Sequence, residues 1–389
     1  MVFLSAKRKN RSECGGLVLP GGGARGAYQI GVLKAIAEFS DKKQSPFEVI
    51  AGCSVGSINA TAVAANASDF KAGMRRIESM WRGLRAHDVY RTDVSAVLGN
   101  MLHWLAAITI GGMGRDNPTS IFDNGPLREL LRKNINFDAI QKGIDNGDLR
   151  ALALTASGLT SGYAITFFQG KDGLIGWERA RRKGVEARLR AEHLLASAAL
   201  PVIFKAQHIG SEYFLDGSLR LTAPLSPAIR LGASHILVIG ARDLAPNKLP
   251  DEGTQAEHPS LGEIGGYMLD IVFSDNLDSD IERMCRINQS LSALPPKQAE
   301  KSEMRPIDIH MIHPSRDLRD IAKKHARELP RTIRMLLRGL GAWGKDWRLP
   351  SYILFEPGFV GELIDLGYQD AMEQEEILRE FLKFSNVES

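Results

Sequence analysis

Residues 47–56 read Phe47-Glu48-Val49-Ile50-Ala51-Gly52-Cys53-Ser54-Val55-Gly56. The first five are apolar apart from Glu48 and include two β-branched residues, which predicts a strand over 47–51. An alanine-rich stretch of strong helix propensity follows from Ser57 to Ala65. Between strand and helix, Gly52 and Gly56 flank Ser54 in the pattern G-x-S-x-G. That is the nucleophile elbow, in which glycines permit a tight strand-to-helix turn that points the central hydroxyl outward.

The residues before it have the same grammar. Leu17-Val18-Leu19 is a short apolar run ended by Pro20 and three glycines, and Ala27 to Phe39 places Ile30, Leu33 and Ala37 at helical spacing. The first 65 residues thus read βαβα, which implies parallel strands joined by a right-handed crossover. Further strands are expected over Leu149–Ala156, Tyr163–Phe168, Glu212–Leu215 and His235–Gly240, with a helix over Ala187–Ala198. The expected fold class is α/β, a three-layer α/β/α sandwich with a mainly parallel central sheet.

Gly21-Gly22-Gly23-Ala24-Arg25-Gly26 fits G-x-G-x-x-G between a strand and a helix, so a dinucleotide-binding turn is the serious competing reading. That fold also needs an acidic residue near the end of its second strand, roughly 20 residues on, for the ribose hydroxyls. Here the strand ends in Ala51-Gly52-Cys53-Ser54, and Glu48 lies near its start. In a parallel sheet, turns after neighbouring strands lie side by side at the carboxyl ends. The backbone N–H groups of Gly22 and Gly23 are then expected to face Ser54 as an oxyanion hole, with Gly21, Arg25 and Gly26 completing the turn.

The base is harder to find. An ordinary α/β-hydrolase places the elbow well inside the chain, followed by an acid and a histidine. Ser54 comes too early for that, and His193, His208, His235, His258, His310, His313 and His325 sit in no shared pattern. His310 and His313 bracket Met311-Ile312 in an expected strand and point to opposite faces, so they form no evident metal pair. Asp216-Gly217, directly after Tyr213-Phe214-Leu215, offers a carboxylate at a strand end with a glycine that allows close approach. A carboxylate near a serine hydroxyl can act as its base where water is excluded and its pKa is tuned. An Asp-Gly taken alone is an ordinary turn. Cys53 is expected to pack as a small apolar side chain beside the exposed Ser54.

At this point the residues resemble the patatin-like phospholipase family. Gly21 to Gly26 is similar to that family's glycine-rich oxyanion turn, Gly52 to Gly56 to its serine elbow, and Asp216-Gly217 to its dyad aspartate with Gly217 in support. Ala196-Ser197-Ala198-Ala199-Leu200-Pro201-Val202-Ile203-Phe204 is similar to the segment that precedes the aspartate strand. The resemblance covers about Gly15 to Gly240. It implies acyl-ester hydrolysis without metal or other cofactor through a Ser54–Asp216 dyad and an acyl-enzyme. The implied substrate is a lipid, cleaved as by a phospholipase A or a lysophospholipase. A non-phospholipid esterase or thioesterase of this fold, a dinucleotide-binding enzyme and an inactive scaffold are the alternatives. Two departures stand out: Ser218 follows Asp-Gly where the family commonly has Gly or Ala, and the Asn usual shortly afterwards is absent around Leu221-Thr222.

The whole chain sets the frame. Its 389 residues, 44% hydrophobic and 24% charged, suit one large α/β domain over 15–240, a short segment 1–14, and a looped, mainly helical extension 241–389 packed on the core. The 49 Lys and Arg against 46 Asp and Glu leave a formal charge of +3, too little at this length to point to nucleic acid. Cys14, Cys53 and Cys285 form no Cys-x-x-Cys pair, which argues against a disulfide framework or a structural zinc site and favours a reducing compartment, the cytoplasm. Basic residues near Met1 are followed by no apolar run, so no secretion signal is expected. Leu98 to Met113 falls short of the ~20 residues that span a bilayer. It is a candidate lid or acyl-chain wall. Arg331 to Trp347, with arginines among leucines and tryptophans, is the candidate for peripheral contact with anionic lipid, its plainer reading being a helix packed on the core. Ala245–Gly262 and Leu294–Arg305 are expected loops or breaks. The oligomeric state is not legible.

Overall fold

The computed structural model describes residues 14–91, 120–242, 258–302, 304–344 and 346–383. Residues 1–13, the candidate lid Leu98–Met113, the loop from Ala245 to residue 257, and Lys345 lie outside them.

The strands are β1 (Gly15–Leu19), β2 (Val49–Cys53), β3 (Ser120–Phe122), β4 (Ala151–Gly158), β5 (Ala164–Gly170), β6 (Trp177–Arg179), β7 (Arg182–Glu186), β8 (Val202–Phe204), β9 (Gln207–Ile209), β10 (Glu212–Asp216), β11 (His235–Ile239) and β12 (Asp308–Ile312). The main sheet runs β12-β11-β1-β2-β4-β5-β7-β6. Its first five strands are mutually parallel, β5 returns antiparallel to β4, and β3 pairs with β8 apart from the sheet.

The parallel strands are apolar on both sides, as a sheet covered on both faces requires. Leu17, Leu19, Ile50, Leu152 and Leu154 join the core on one face, under helices α1 (Ala27–Phe39) and α2 (Val55–Ala64). Val18, Val49, Ala51, Ala151 and Ala153 point the other way, onto Leu225, Ala228, Leu277 and Met284 of the opposite helical layer. Alternation of side chains along each strand thus builds the three-layer α/β/α sandwich.

Some boundaries move. The second strand runs on to Cys53, because Gly52 and Cys53 still pair with Leu154 and Thr155. The helix expected over 187–198 begins only at Ala191, since the Ala187 N–H donates to the Phe168 carbonyl and the Leu189 N–H to Gln169 Oε1, prolonging the sheet edge. Leu294–Arg305 contains the short helix Pro296–Lys301.

The residues after 240 are more than a helical appendage: β12 adds a parallel strand to the sheet, and helix Pro357–Glu373 crosses α1, where Tyr28 donates to Asp370 at 2.9 Å. After the helix Leu318–His325 the chain turns at Leu329-Pro330 and resumes as the helix Arg331–Gly339. Ile333 and Leu337 are buried, and Trp343 and Trp347 form an edge-to-face pair against the core. No continuous surface helix therefore joins Arg331 to Trp347: the helix ends at Gly339, and Gly341 and Gly344 follow with positive φ. Among the described residues no helix is long and apolar enough to cross a membrane.

Candidate active site

The β2 chain turns sharply into α2 at Ser54, whose φ of 54° and ψ of −130° lie where few non-glycine residues go. Such strain persists only where the surroundings impose it. Here they do: a Cβ on Gly56 would run into the Leu19 and Pro20 carbonyls, and one on Gly52 into the backbone of Gly56. Both flanking glycines are therefore required by close backbone approach. The Ser54 N–H donates to Ser197 Oγ at 3.0 Å, and Ser197 donates onward to the Thr155 carbonyl at 2.6 Å, which ties the elbow to β4. Ser54 is only 5% exposed.

The glycine turn lies alongside. Gly23–Gly26 form one 3-10 turn, and Gly23 adopts φ 54° with no room for a side chain against the Tyr352 carbonyl. Gly26 packs on Val55 of the elbow helix, and its carbonyl accepts from Asn59 Nδ2 at 3.0 Å. Gly23 and Ser54 line the same cavity of about 590 Å³. Arg25 completes the turn. Its N–H donates to the Gly22 carbonyl at 3.1 Å, and its buried guanidinium binds Ser351 Oγ, Asp270 Oδ1 and the Tyr352 hydroxyl. It clamps the turn to the C-terminal segments and offers no donor to the cavity.

Asp216 ends β10 and is fully buried. Its Oδ1 accepts the Ser218 N–H at 2.9 Å, whereas Oδ2 has no hydrogen-bond partner. Burial pushes its pKa up to about 6, and the nearby Ser54 and Ser218 groups pull it partly back. The Ser54 hydroxyl thus favours the ionised carboxylate. Gly217 has no room for a Cβ against the Thr155 carbonyl and Cys53 Sγ. The Cys53 thiol is held neutral by burial and by the charge of Asp216, so it does not compete as a nucleophile.

The Ser54 cavity follows α2. Val55, Ile58 and Ala62 line it together with Trp81, Leu131 and Phe355. No histidine lines it among the described residues. His193 is buried against Phe167, with burial lowering its pKa, and its Nδ1 accepts the Arg190 N–H. His310 is buried on β12 beside Phe381. Among the described residues no group of three His, Cys, Asp or Glu could hold a metal ion, and all three cysteines are free.

Residues 17–229 match the patatin-like phospholipase family. The chain belongs to that family. The span contains both glycine turns and Asp216 of this patatin-like chain, and it removes the dinucleotide-binding alternative. A 99-residue stretch is 42% identical to lysophospholipase NTE1 of Cryptococcus neoformans, covering 23% of the chain and 6% of that relative. An 84-residue stretch is 40% identical to lysophospholipase nte1 of Aspergillus terreus, covering 19% and 5%. The chain therefore corresponds to only a small part of these relatives. Among solved structures, human GIVD cytosolic phospholipase A2 aligns over 96% of the chain and 60% of its own length at 12% identity, with a TM-score of 0.45. VipD from Legionella pneumophila aligns over 91% and 67% at 11% identity, with a TM-score of 0.31.

Three neighbours of the site escaped sequence reasoning. Ser197 lies in the segment quoted before β8 but bears no mark of its contact with Ser54. Phe273 and Tyr352 stand more than 200 residues after the glycine turn, and no local pattern reveals that they close over it.

Proposed function

We propose that this patatin-like protein is a lipid acyl hydrolase that cleaves carboxylic esters through Ser54 and Asp216. The observation that carries the reading is the meeting of a strained serine elbow and a buried carboxylate with an unpartnered oxygen at the head of an apolar cavity.

In the proposed reaction, Ser54 Oγ attacks the ester carbonyl carbon while its proton passes to Asp216. Negative charge gathers on the carbonyl oxygen, where the N–H groups of Gly22 and Gly23 act as donors. Collapse of the tetrahedral intermediate breaks the bond to the alcohol, which leaves with the proton from Asp216. Water then gives a proton to Asp216 as it adds to the acyl-enzyme, and collapse of the second tetrahedral intermediate releases the fatty acid while Asp216 returns the proton to Ser54 Oγ.

A raised carboxyl pKa suits the task, since a base works best when its pKa lies near the operating pH. The cavity along α2 supports a long apolar acyl group. Phospholipid and lysophospholipid fit this reading equally, and the support for a lipid comes from the family and the lining. The test is a fluorophosphonate probe followed by peptide mass spectrometry. Label is expected on Ser54 in the wild type and absent from Ser54→Ala. Label at another residue, or none on a folded wild type, would overturn the assignment.

A further inference from the structure

Helix Leu261–Asp270 sits on the segment after Gly339: the Gly262 N–H donates to the Leu340 carbonyl at 2.8 Å, and Gly266 abuts Arg348 and Leu349. On its outer side stand Leu261, Ile264, Tyr267, Met268 and, one residue further, Ile271, each between 39% and 74% exposed. Every exposed residue over 261–271 is apolar. The acidic residues there are engaged elsewhere. Glu263 accepts the Ser260 N–H at 2.7 Å, and Asp270 is buried against Arg25 and Tyr352. Spacings of three and four set the five apolar side chains on one face, a contiguous stripe of the kind that marks an interaction surface.

The stripe ends beside the reaction cavity. Its last residue opens a π-helical turn, Ile271–Asp275, which aims Phe273 inward against Gly21 and into the wall shared with Ser54. Near its other end the helix Arg331–Gly339 leads into Leu340. Arg331 and Arg338 are exposed, Arg334 is half-buried, and none of the three forms an ion pair among the described residues. Met335, between them, is 70% exposed.

We propose that the face Leu261–Ile271, flanked by Arg331, Arg334 and Arg338, docks on an anionic phospholipid surface and brings the ester to the Ser54 cavity. This deepens the acyl-hydrolase reading and rests on it for the fate of the lipid. Apolar side chains and a tyrosine enter the boundary between headgroups and acyl chains, while arginines stay at the level of the phosphates. The charge pattern favours lipid over a second protein chain, because the apolar stripe itself carries no charge to specify a partner. Its size argues the same way: five exposed side chains along about 16 Å of helix are far fewer than the roughly 20–30 residues a side of a stable interface.

The experiment compares wild type, Leu261→Gln/Ile264→Gln/Met268→Gln, and Arg331→Gln/Arg334→Gln/Arg338→Gln. Each is co-sedimented with vesicles of equimolar phosphatidylcholine and phosphatidylglycerol at low and high salt, and assayed on a soluble short-chain ester. The glutamine-for-apolar variant is expected to lose roughly tenfold or more in vesicle partitioning with its soluble-ester rate unchanged. The arginine variant should bind more weakly and lose its response to salt. If the triple apolar variant melts early, Leu261→Asp at the most exposed position makes the same comparison. Equal sedimentation of wild type and the apolar variants, no binding by wild type, or a dimer that these variants dissociate would overturn the docking proposal. Vesicle binding by a wild type that hydrolyses no ester would sustain the docking and sink the hydrolase reading.

Discussion

Cys53 and Asp216 occupy consecutive positions along one edge of β4, Cys53 opposite Thr155 and Asp216 opposite Ala156. The other edge is taken by β5, so β2 arriving parallel and β10 arriving antiparallel share a single rail and meet at their carboxyl ends. Ser54, one residue beyond Cys53, is therefore set beside Asp216 by main-chain register rather than by a flexible loop.

Asp216→Asn should separate activity from stability. The amide cannot take the serine proton, so turnover should fall by roughly 100- to 10,000-fold. The folded carboxyl has its pKa raised from 3.8 to about 6. Burial thus adds no ionisation cost below the unfolded value, and stability is lost as pH rises through the folded value. At neutral pH the neutral amide should stabilise the fold by about 3 kcal/mol. Thermal melts at pH 4 and pH 7 check this, and a variant no more stable at pH 7 would contradict the burial argument.

The pH profile follows from the same group. Only the ionised carboxylate accepts a proton, so kcat/KM on a soluble ester should rise with pH and level off above about 6. An acid limb near the ordinary aspartate value, or an essential histidine exposed by single His→Ala changes, would move the base elsewhere.

Ser218 stands where the family commonly has a smaller residue, and its position has a consequence. Its hydroxyl lies 3.3 Å from Cys53 Sγ and against Gly21, and it helps hold Asp216 ionised. Ser218→Ala should leave the fold intact and move the acid limb to higher pH. A profile that does not move would reduce the hydroxyl to a filler of space.

What the sequence revealed was local. Pro20 to Gly26 and Gly52 to Gly56 encode their turns within seven and five residues, so both glycine turns were readable, as was the parallel order of β1 and β2. Register between distant strands is not local, and the continuity of β2 and β10 along β4 brings together Cys53 and Asp216, 163 positions apart in the chain, which no spacing rule reaches. Arg25 shows the limit at side-chain level. Its place in the glycine turn was readable, but the partners of its buried guanidinium, Asp270, Ser351 and Tyr352, come from far along the chain.

Arg25 is accordingly predicted to matter for structure first. It makes a buried ion pair with Asp270 at 3.2 Å and lies 3.9 Å from the centre of the Tyr352 ring. Arg25→Met would leave Asp270 with less compensation and should cost roughly 3 kcal/mol or more. Denaturant melts measure the loss. Fluorophosphonate labelling should also slow, since the turn carrying Gly22 and Gly23 loses its anchor. A variant as stable as wild type would show that Arg348, 3.0 Å from Asp270 Oδ2, suffices as its counter-ion.

The last prediction concerns chain length. Ser54, Val55, Ile58, Ala62, Ala65 and Asn66 line the cavity along α2 and its C-terminal end. At 1.5 Å per residue the 12 steps from Ser54 to Asn66 span about 18 Å, enough for a long acyl chain laid beside the helix. Ile58 is one turn from the nucleophile, so Ile58→Trp should block the path while leaving the space next to Ser54 open. Hydrolysis of a butyryl ester should then stay within about threefold of wild type, while that of a palmitoyl ester falls by at least tenfold, the loss of several buried methylenes at about 0.8 kcal/mol each. The comparison is made within one protein preparation, so misfolding would lower both rates together and be recognised. Equal losses on the two esters with wild-type melting would show that the acyl chain does not lie along α2.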